Sequence, residues 1–173
     1  MENLIFGFFI LNTFFVPISL FIVDKKIAKY KKLKTISEFV TIGKDQLIFL
    51  EVIFITSSVI HCMFCFYLFH NYNFPPTILL GILGGFISII VAFLRIDKYF
   101  LPHTLLAVTA FLIYSLSIVL TSIALKNPLL IAVGIIQAVI TIVGVIFKAP
   151  IKHLEVYFFT IFAIWNLLVI ASL

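Results

Sequence analysis

Charge is scarce in this chain. Asp, Glu, Lys and Arg make up only 11% of its 173 residues, against 64% hydrophobic ones. A soluble domain carries about 25% charged residues, so an extramembrane enzyme is excluded and a single membrane domain over 1–173 is expected. Cysteine is scarcer still. Cys62 and Cys65 are the only two, a lone Cys-x-x-Cys without the second pair, or His pair, of a structural zinc site. They read as small thiols packed in a core. The histidines supply no axial pair for haem, because His61 lies mid-segment, His70 at one end and His103 and His153 at the other. There is no Gly-x-Ser-x-Gly elbow, no phosphate loop and no His-Glu-x-x-His. A Ser–His hydrolase built from His103 and Ser117 fails on distance, about 20 Å on an ideal helix. No metal, no cofactor and no catalytic residue is expected. The chain also lacks a repeat of fixed period and a low-complexity tail. No positive charge precedes the first apolar segment and no small-x-small site follows it, so that segment is expected to remain uncleaved.

What is abundant is apolar length. Six segments, roughly Leu4–Val23, Gln46–Phe69, Thr77–Leu94, His103–Leu125, Leu129–Phe147 and His153–Leu173, each have the length a helix needs to cross a hydrocarbon core. The expected fold class is all-α, an integral membrane bundle of six transmembrane helices. Eleven of the twelve Lys and Arg residues fall in alternate gaps. Lys25, Lys26, Lys29, Lys31, Lys32, Lys34 and Lys44 fill the first gap, Arg95 and Lys98 the third, and Lys148 and Lys152 the fifth. Only Lys126 lies in the other two. By the positive-inside rule the odd gaps are cytoplasmic and both termini lie on the non-cytoplasmic side. The expected location is the plasma membrane. The net charge of +5 points away from nucleic acid, because most of it is the run Lys25–Lys34 beside a span, where lysines meet anionic lipid headgroups. Ile27, Tyr30, Leu33 and Ile36 recur every three positions among those lysines, the pattern of a helix lying on the membrane surface. A solvated basic loop or an extension of the first helix fits equally.

Asn127-Pro128 reads as a cap followed by proline in the first turn, and Pro102 plays the same part before His103. Pro75-Pro76 and Pro150 mark connectors, while Pro17 lies inside the first span and predicts a kink. Within the segments, small and polar residues fall in rows. Glu51, Ser58, Cys62 and Cys65 share a face, as do Gly81, Gly85, Ser88, Ala92 and Arg95. His103, Ala107, Ala110, Tyr114, Ser117 and Thr121 form a third row, Gly134, Gln137, Thr141, Gly144 and Lys148 a fourth, and Glu155, Phe159, Phe162 and Asn166 a fifth. Lipid tails are as apolar as Leu, so such rows are expected where helices touch. The ionisable members Glu51, Arg95, Asp97, His103, Lys148 and Glu155 all fall near the cytoplasmic end. They are expected either to compensate one another in a buried network or to bind a polar headgroup. Ordinary interfacial residues with their heads in water remain an alternative.

Three stretches carry a resemblance. Thr35-Ile36-Ser37-Glu38-Phe39 is similar to an Ile-Ser-Glu element preceding the second helix of one family. Phe93-Leu94-Arg95-Ile96-Asp97 through Leu101-Pro102-His103, with Phe111 two turns on, resembles its junction of helices three and four. Leu154-Glu155 followed by Ile164-Trp165-Asn166-Leu167 resembles its closing helix. The family is the six-helix group of the DRAM (damage-regulated autophagy modulator) proteins, the Frag-type GPI-lipid-remodelling proteins and many prokaryotic members. The resemblance implies a lipid-linked, non-catalytic role and singles out Ser37, Glu38, His103 and Glu155. The family is drawn with cytoplasmic termini; the lysines of this chain argue the reverse. The leading expectation is a lipid-associated, non-catalytic membrane protein with an inner-leaflet polar cavity and membrane lipids, anionic ones above all, as partners. The alternatives are an accessory subunit held by other membrane proteins through Phe-rich outer faces and Gly81-x-x-x-Gly85, and a small transporter or lipid-modifying enzyme using Glu51, His103 and Glu155.

Overall fold

A computed structural model describes residues 2–27, 44–94, 96, 98–146 and 151–173. They form six helices: α1 Glu2–Ile27, α2 Lys44–Asn71, α3 Leu79–Phe93, α4 Phe100–Ala124, α5 Pro128–Ile146 and α6 Ile151–Ala171, with a 3-10 turn Pro76–Ile78 leading into α3. Lys29, Lys31, Lys32, Lys34, Ser37, Glu38, Arg95, Asp97 and Lys148 lie outside the described residues, and so does the proposed surface helix beyond Ile27. Lys25 and Lys26 fall inside α1 and Glu155 inside α6, as helical backbone. The first helix extends through Ile27; the choice between a surface helix, a solvated loop and a longer first helix falls on residues outside the described ones.

Local chemistry explains the boundaries. The Asn127 side-chain Oδ1 accepts from the backbone N–H groups of Leu129 and Leu130 at 3.0 and 3.3 Å, and Pro128 opens α5 where its missing N–H would have no partner. The turn before it is closed by Lys126, whose φ of 55° places it in the left-handed region that ends a helix. Pro75, in an extended conformation, precedes Pro76 at the first position of the 3-10 turn. Pro17 lies inside α1 and leaves the carbonyl four residues back, that of Thr13, without its helical donor.

The helices close a ring. Each packs against its sequence neighbours, and α6 returns to α1. Among the described residues, three stretches are long and apolar enough to cross a membrane, Glu51–Asn71, Pro76–Phe93 and Phe100–Ala124, while α1, α5 and α6 contribute shorter apolar stretches. The side-chain distribution is inverted relative to a water-soluble bundle. Phe8, Leu11, Phe14, Phe15, Phe21 and Ile22 of α1 are exposed, as are Ile135, Ile136, Val139, Ile142 and Val143 of α5. Inside lie Ser58, His61, His103, Ser115, Ser117, Thr121, Ser122, Gln137, Thr141 and Asn166. A continuous apolar exterior of this kind belongs in lipid, since in water it would drive association. The chain is a membrane protein on these grounds.

The interior rows hold the ring together with hydroxyls. Thr77 and Thr121 share a hydrogen bond of 2.9 Å, and Ser117 donates to the Thr77 carbonyl at 3.1 Å, tying the entry of α3 to α4. Ser115 and Thr141 join α4 to α5 at 3.0 Å. Trp165 Nε1 donates to Ser122 Oγ at 2.8 Å, joining α6 to α4. Gln137 breaks the pattern. Its side chain is fully buried, with neither amide atom hydrogen-bonded. An orphaned buried amide costs about 1–3 kcal/mol, and replacement by an apolar group of the same shape removes that cost. Gln137→Leu is therefore expected to raise stability by about 1 kcal/mol, read as a higher thermal midpoint in detergent. A lower midpoint would mean that the amide has a partner, such as a trapped water.

Candidate functional site

The expected charged cluster has two members whose side chains are described. Glu51, two turns into α2, is half-buried and makes no ion pair with another described residue. His103, in the first turn of α4, is buried, and its Nδ1–H donates to the carbonyl of Leu94, where α3 ends. Its own backbone N–H donates to the Tyr99 carbonyl at 2.9 Å. His103 thus closes the α3–α4 junction by occupying a carbonyl at a helix C-terminus.

The polar feature that the structure does assemble lies deeper, in the triangle of α1, α2 and α6. It is a pocket of about 50 Å³, lined by Asn12, Thr13 and Pro17 of α1, Phe54, Ser57, Ser58 and His61 of α2, and Phe159, Phe162, Ala163 and Asn166 of α6, with Ser88 and Tyr114 reaching in from α3 and α4. At roughly 10–15 Å³ per water-sized centre, this is room for a few small groups. Ser57 and Ser58 face it from consecutive positions, with His61 one turn further on. Asn166, Phe162 and Phe159 face it at successive offsets of four and three, the helical spacing that places side chains on one face.

Glycines let this wall form. A Cβ at Gly81 would stand 2.7 Å from Cys65 Sγ and 3.1 Å from His61 Nε2, and one at Gly84 would stand 3.0 Å from the Tyr114 ring. A Cβ at Gly85 would collide with Cys62 Sγ. The Gly81/Gly85 face is therefore filled from within by α2 and is not offered to another chain. The thiols are packing groups: Cys65 Sγ lies 3.2 Å from His61 Nε2, and Cys62 Sγ lies 3.6 Å from the Ile82 carbonyl. Among the described residues, no group of three His, Cys, Asp or Glu side chains is placed to hold a metal ion.

Aromatic rings fix the remaining walls. His61 meets Tyr114 edge-on at 5.4 Å and Phe162 at 4.7 Å, and Tyr114 meets Phe162 edge-on at 5.1 Å. The Tyr114 hydroxyl has Ser88 and Ser58 as hydrogen-bonding neighbours. Two polar atoms are left over. Ser57 Oγ and Asn166 Oδ1 are buried without a partner, and both residues line the pocket. In an apolar surrounding each such atom carries a desolvation cost that only a partner removes.

Sequence periodicity places Ser58, Ser88, Tyr114, Phe159, Phe162 and Asn166 on interior rows, and the structure brings these six to one pocket. Periodicity does not single out Asn12, Thr13 or Ser57. The available signal is Pro17, one turn after Thr13, which opens the hydrogen-bond ladder of α1 at the depth of the pocket. No family model, curated protein or solved structure matches the chain.

Proposed function

We propose that this chain is a multi-pass protein of the plasma membrane, with all six helices crossing the bilayer, and that its mid-bundle pocket holds a lipid or lipid-like molecule without covalent chemistry. The observation that carries the reading is a pocket of neutral polar groups inside a bundle with an apolar exterior, two of whose polar atoms have no protein partner. A molecule that reaches such a site arrives through lipid and brings an apolar body with a small polar head. The thiol beside His61 Nε2, that of Cys65, is fully buried and does not line the pocket, so this Cys–His pair is not presented to a molecule held there.

The lysine distribution supports the topology, with both termini outside and Lys25–Lys34 at the inner surface, where each lysine near anionic headgroups contributes about 1 kcal/mol. The resemblance to the DRAM and Frag-type group implies a role of the same kind. The accessory-subunit alternative loses its glycine contact, because that face is filled by the thiols of α2, and keeps the exposed phenylalanines of the outer surface, Phe8, Phe14 and Phe15 among them.

Two measurements test the proposal. Accessibility labelling at single cysteines is expected to place Asn73 and Asn127 outside and Lys32 and Lys98 in the cytoplasm; the opposite pattern would overturn the topology. Native mass spectrometry of the chain released from gentle detergent is expected to show one retained lipid-like molecule per chain. A bare chain under conditions that keep it folded would contradict the binding role.

A further inference from the structure

We infer that the pocket selects an uncharged, hydroxyl-bearing head on a single apolar chain, a ligand class that rests on the binding role proposed above and narrows it. Donors and acceptors set the first restriction. Asn166 is 94% buried, being 6% exposed, and its Oδ1 is a carbonyl-type oxygen that only accepts. Ser57 Oγ can donate or accept. A hydroxyl has one proton to donate to Asn166 Oδ1 and a lone pair to accept from Ser57, so its chemistry matches both leftover groups. An ester, a ketone or an ionised phosphate only accepts: it can take a proton from Ser57 or from Asn166 Nδ2, but it leaves Asn166 Oδ1 unpaired.

Charge gives an independent restriction. Among the described residues, no Asp, Glu, Lys or Arg lines the pocket. A charged head brought there would lose its hydration and find no fixed counter-charge, an arrangement that costs far more than burying a hydroxyl. Size gives a third restriction. About 50 Å³ accommodates a hydroxyl and the first carbons of a chain but not a sugar. The pocket is not sealed: Asn12, Phe54 and Phe159 are half-buried in its wall, and the two phenylalanine rings pack on each other with centroids 5.8 Å apart, so the rest of a chain leaves along the outer side of this ring pair, toward the apolar exterior.

The test uses the full chain in phosphatidylcholine nanodiscs, with thermal midpoints read against added probe. 1-Dodecanol is expected to raise the midpoint, while dodecane, which lacks the head, and dodecyl phosphate, which is charged, leave it unchanged. 1-Monolauroylglycerol and lauric acid separate the sources of the hydroxyl: a glycerol ester would act at any pH, a fatty acid only when protonated. Asn166→Leu is expected to weaken the dodecanol effect about tenfold, the loss of one hydrogen bond to a buried acceptor. The same variant without probe is expected to melt at or above the wild-type midpoint, because an unpaired oxygen has been removed. Ser57→Ala supplies a second variant, with a smaller loss of the dodecanol effect. An unchanged dodecanol response in both variants, an equal response to dodecane or dodecyl phosphate, or a lower probe-free midpoint for Asn166→Leu would overturn the inference. Retention of a phospholipid together with no dodecanol response would refute the head-group assignment and leave the binding role standing. No retained lipid and no response to any probe would refute both, with water as the occupant.

Discussion

Trp165→Ala is expected to cost about 3–5 kcal/mol, the range for deleting a buried Trp or Phe, and to leave little folded protein at physiological temperature. Trp165 is the only tryptophan in the chain and is 1% exposed. Its ring belongs to the main apolar core with Phe64, Leu68, Ile118, Leu130 and Val169. Its Nε1–H donates at 2.8 Å to Ser122 Oγ, itself fully buried, so the substitution adds an orphaned hydroxyl to the cavity. The chemical contribution can be separated from the volume. Trp165→Phe keeps most of the ring and orphans Ser122, and is expected to cost about 1–3 kcal/mol. Adding Ser122→Ala to it is expected to return part of that loss, since the hydroxyl no longer lacks a partner. Unfolding midpoints in detergent of the two single variants and the double variant form the cycle. Equal losses in Trp165→Phe with and without Ser122→Ala would mean that the hydrogen bond contributes nothing.

Gly85→Ala is expected to destabilise by about 1–3 kcal/mol through overpacking. The added methyl would collide with Cys62 Sγ and stand 3.3 Å from the backbone carbonyl oxygen of Ser58. The thiol is half-buried and can be shortened; the carbonyl belongs to a helix and cannot move alone. Cys62→Ala combined with Gly85→Ala exchanges the small group from one helix to the other and is expected to restore part, not all, of the lost stability. Gly7, with nothing within 4 Å of its would-be Cβ, is the control: Gly7→Ala is expected to be neutral or stabilising, because Ala favours helix over Gly by about 1 kcal/mol. No rescue by Cys62→Ala would mean that α2 and α3 do not meet in this register, and the wall carrying Ser58 and His61 would have to be redrawn.

Much of the bundle is legible in the sequence because helical period and lipid surroundings act together. Tyr114, Ser117 and Thr121 recur at three and four along α4, and all three are buried; in a membrane the polar face has nowhere else to go. Asn127-Pro128 is legible because cap chemistry is local, confined to the four residues 127–130. The polar site is less so. Asn166 reads as one more member of the row with Glu155, Phe159 and Phe162, since a row shows which face turns inward and not which groups across the bundle will lack a partner. Ser57 sits beside the row of Glu51 and Ser58, and its place in the pocket depends on where α1 and α6 pass. His103 illustrates the opposite difficulty. By pattern its ring is available for a headgroup, but Nδ1 is committed to the Leu94 carbonyl, and that carbonyl is free only because α3 stops at Phe93. Helix ends create acceptors that a residue pattern does not display.

On this proposal a lipid-like molecule occupies the space between α1, α2 and α6. An experimental structure of the full chain in lipid nanodiscs tests it most directly. The expected result is elongated density with its polar end between Ser57 and Asn166, within hydrogen-bonding distance of both, and its tail passing Phe54 and Phe159 toward the bilayer. A pocket holding only discrete water peaks, or closed by α1 moving against α6 so that Asn166 Oδ1 is bonded within the protein, would contradict it.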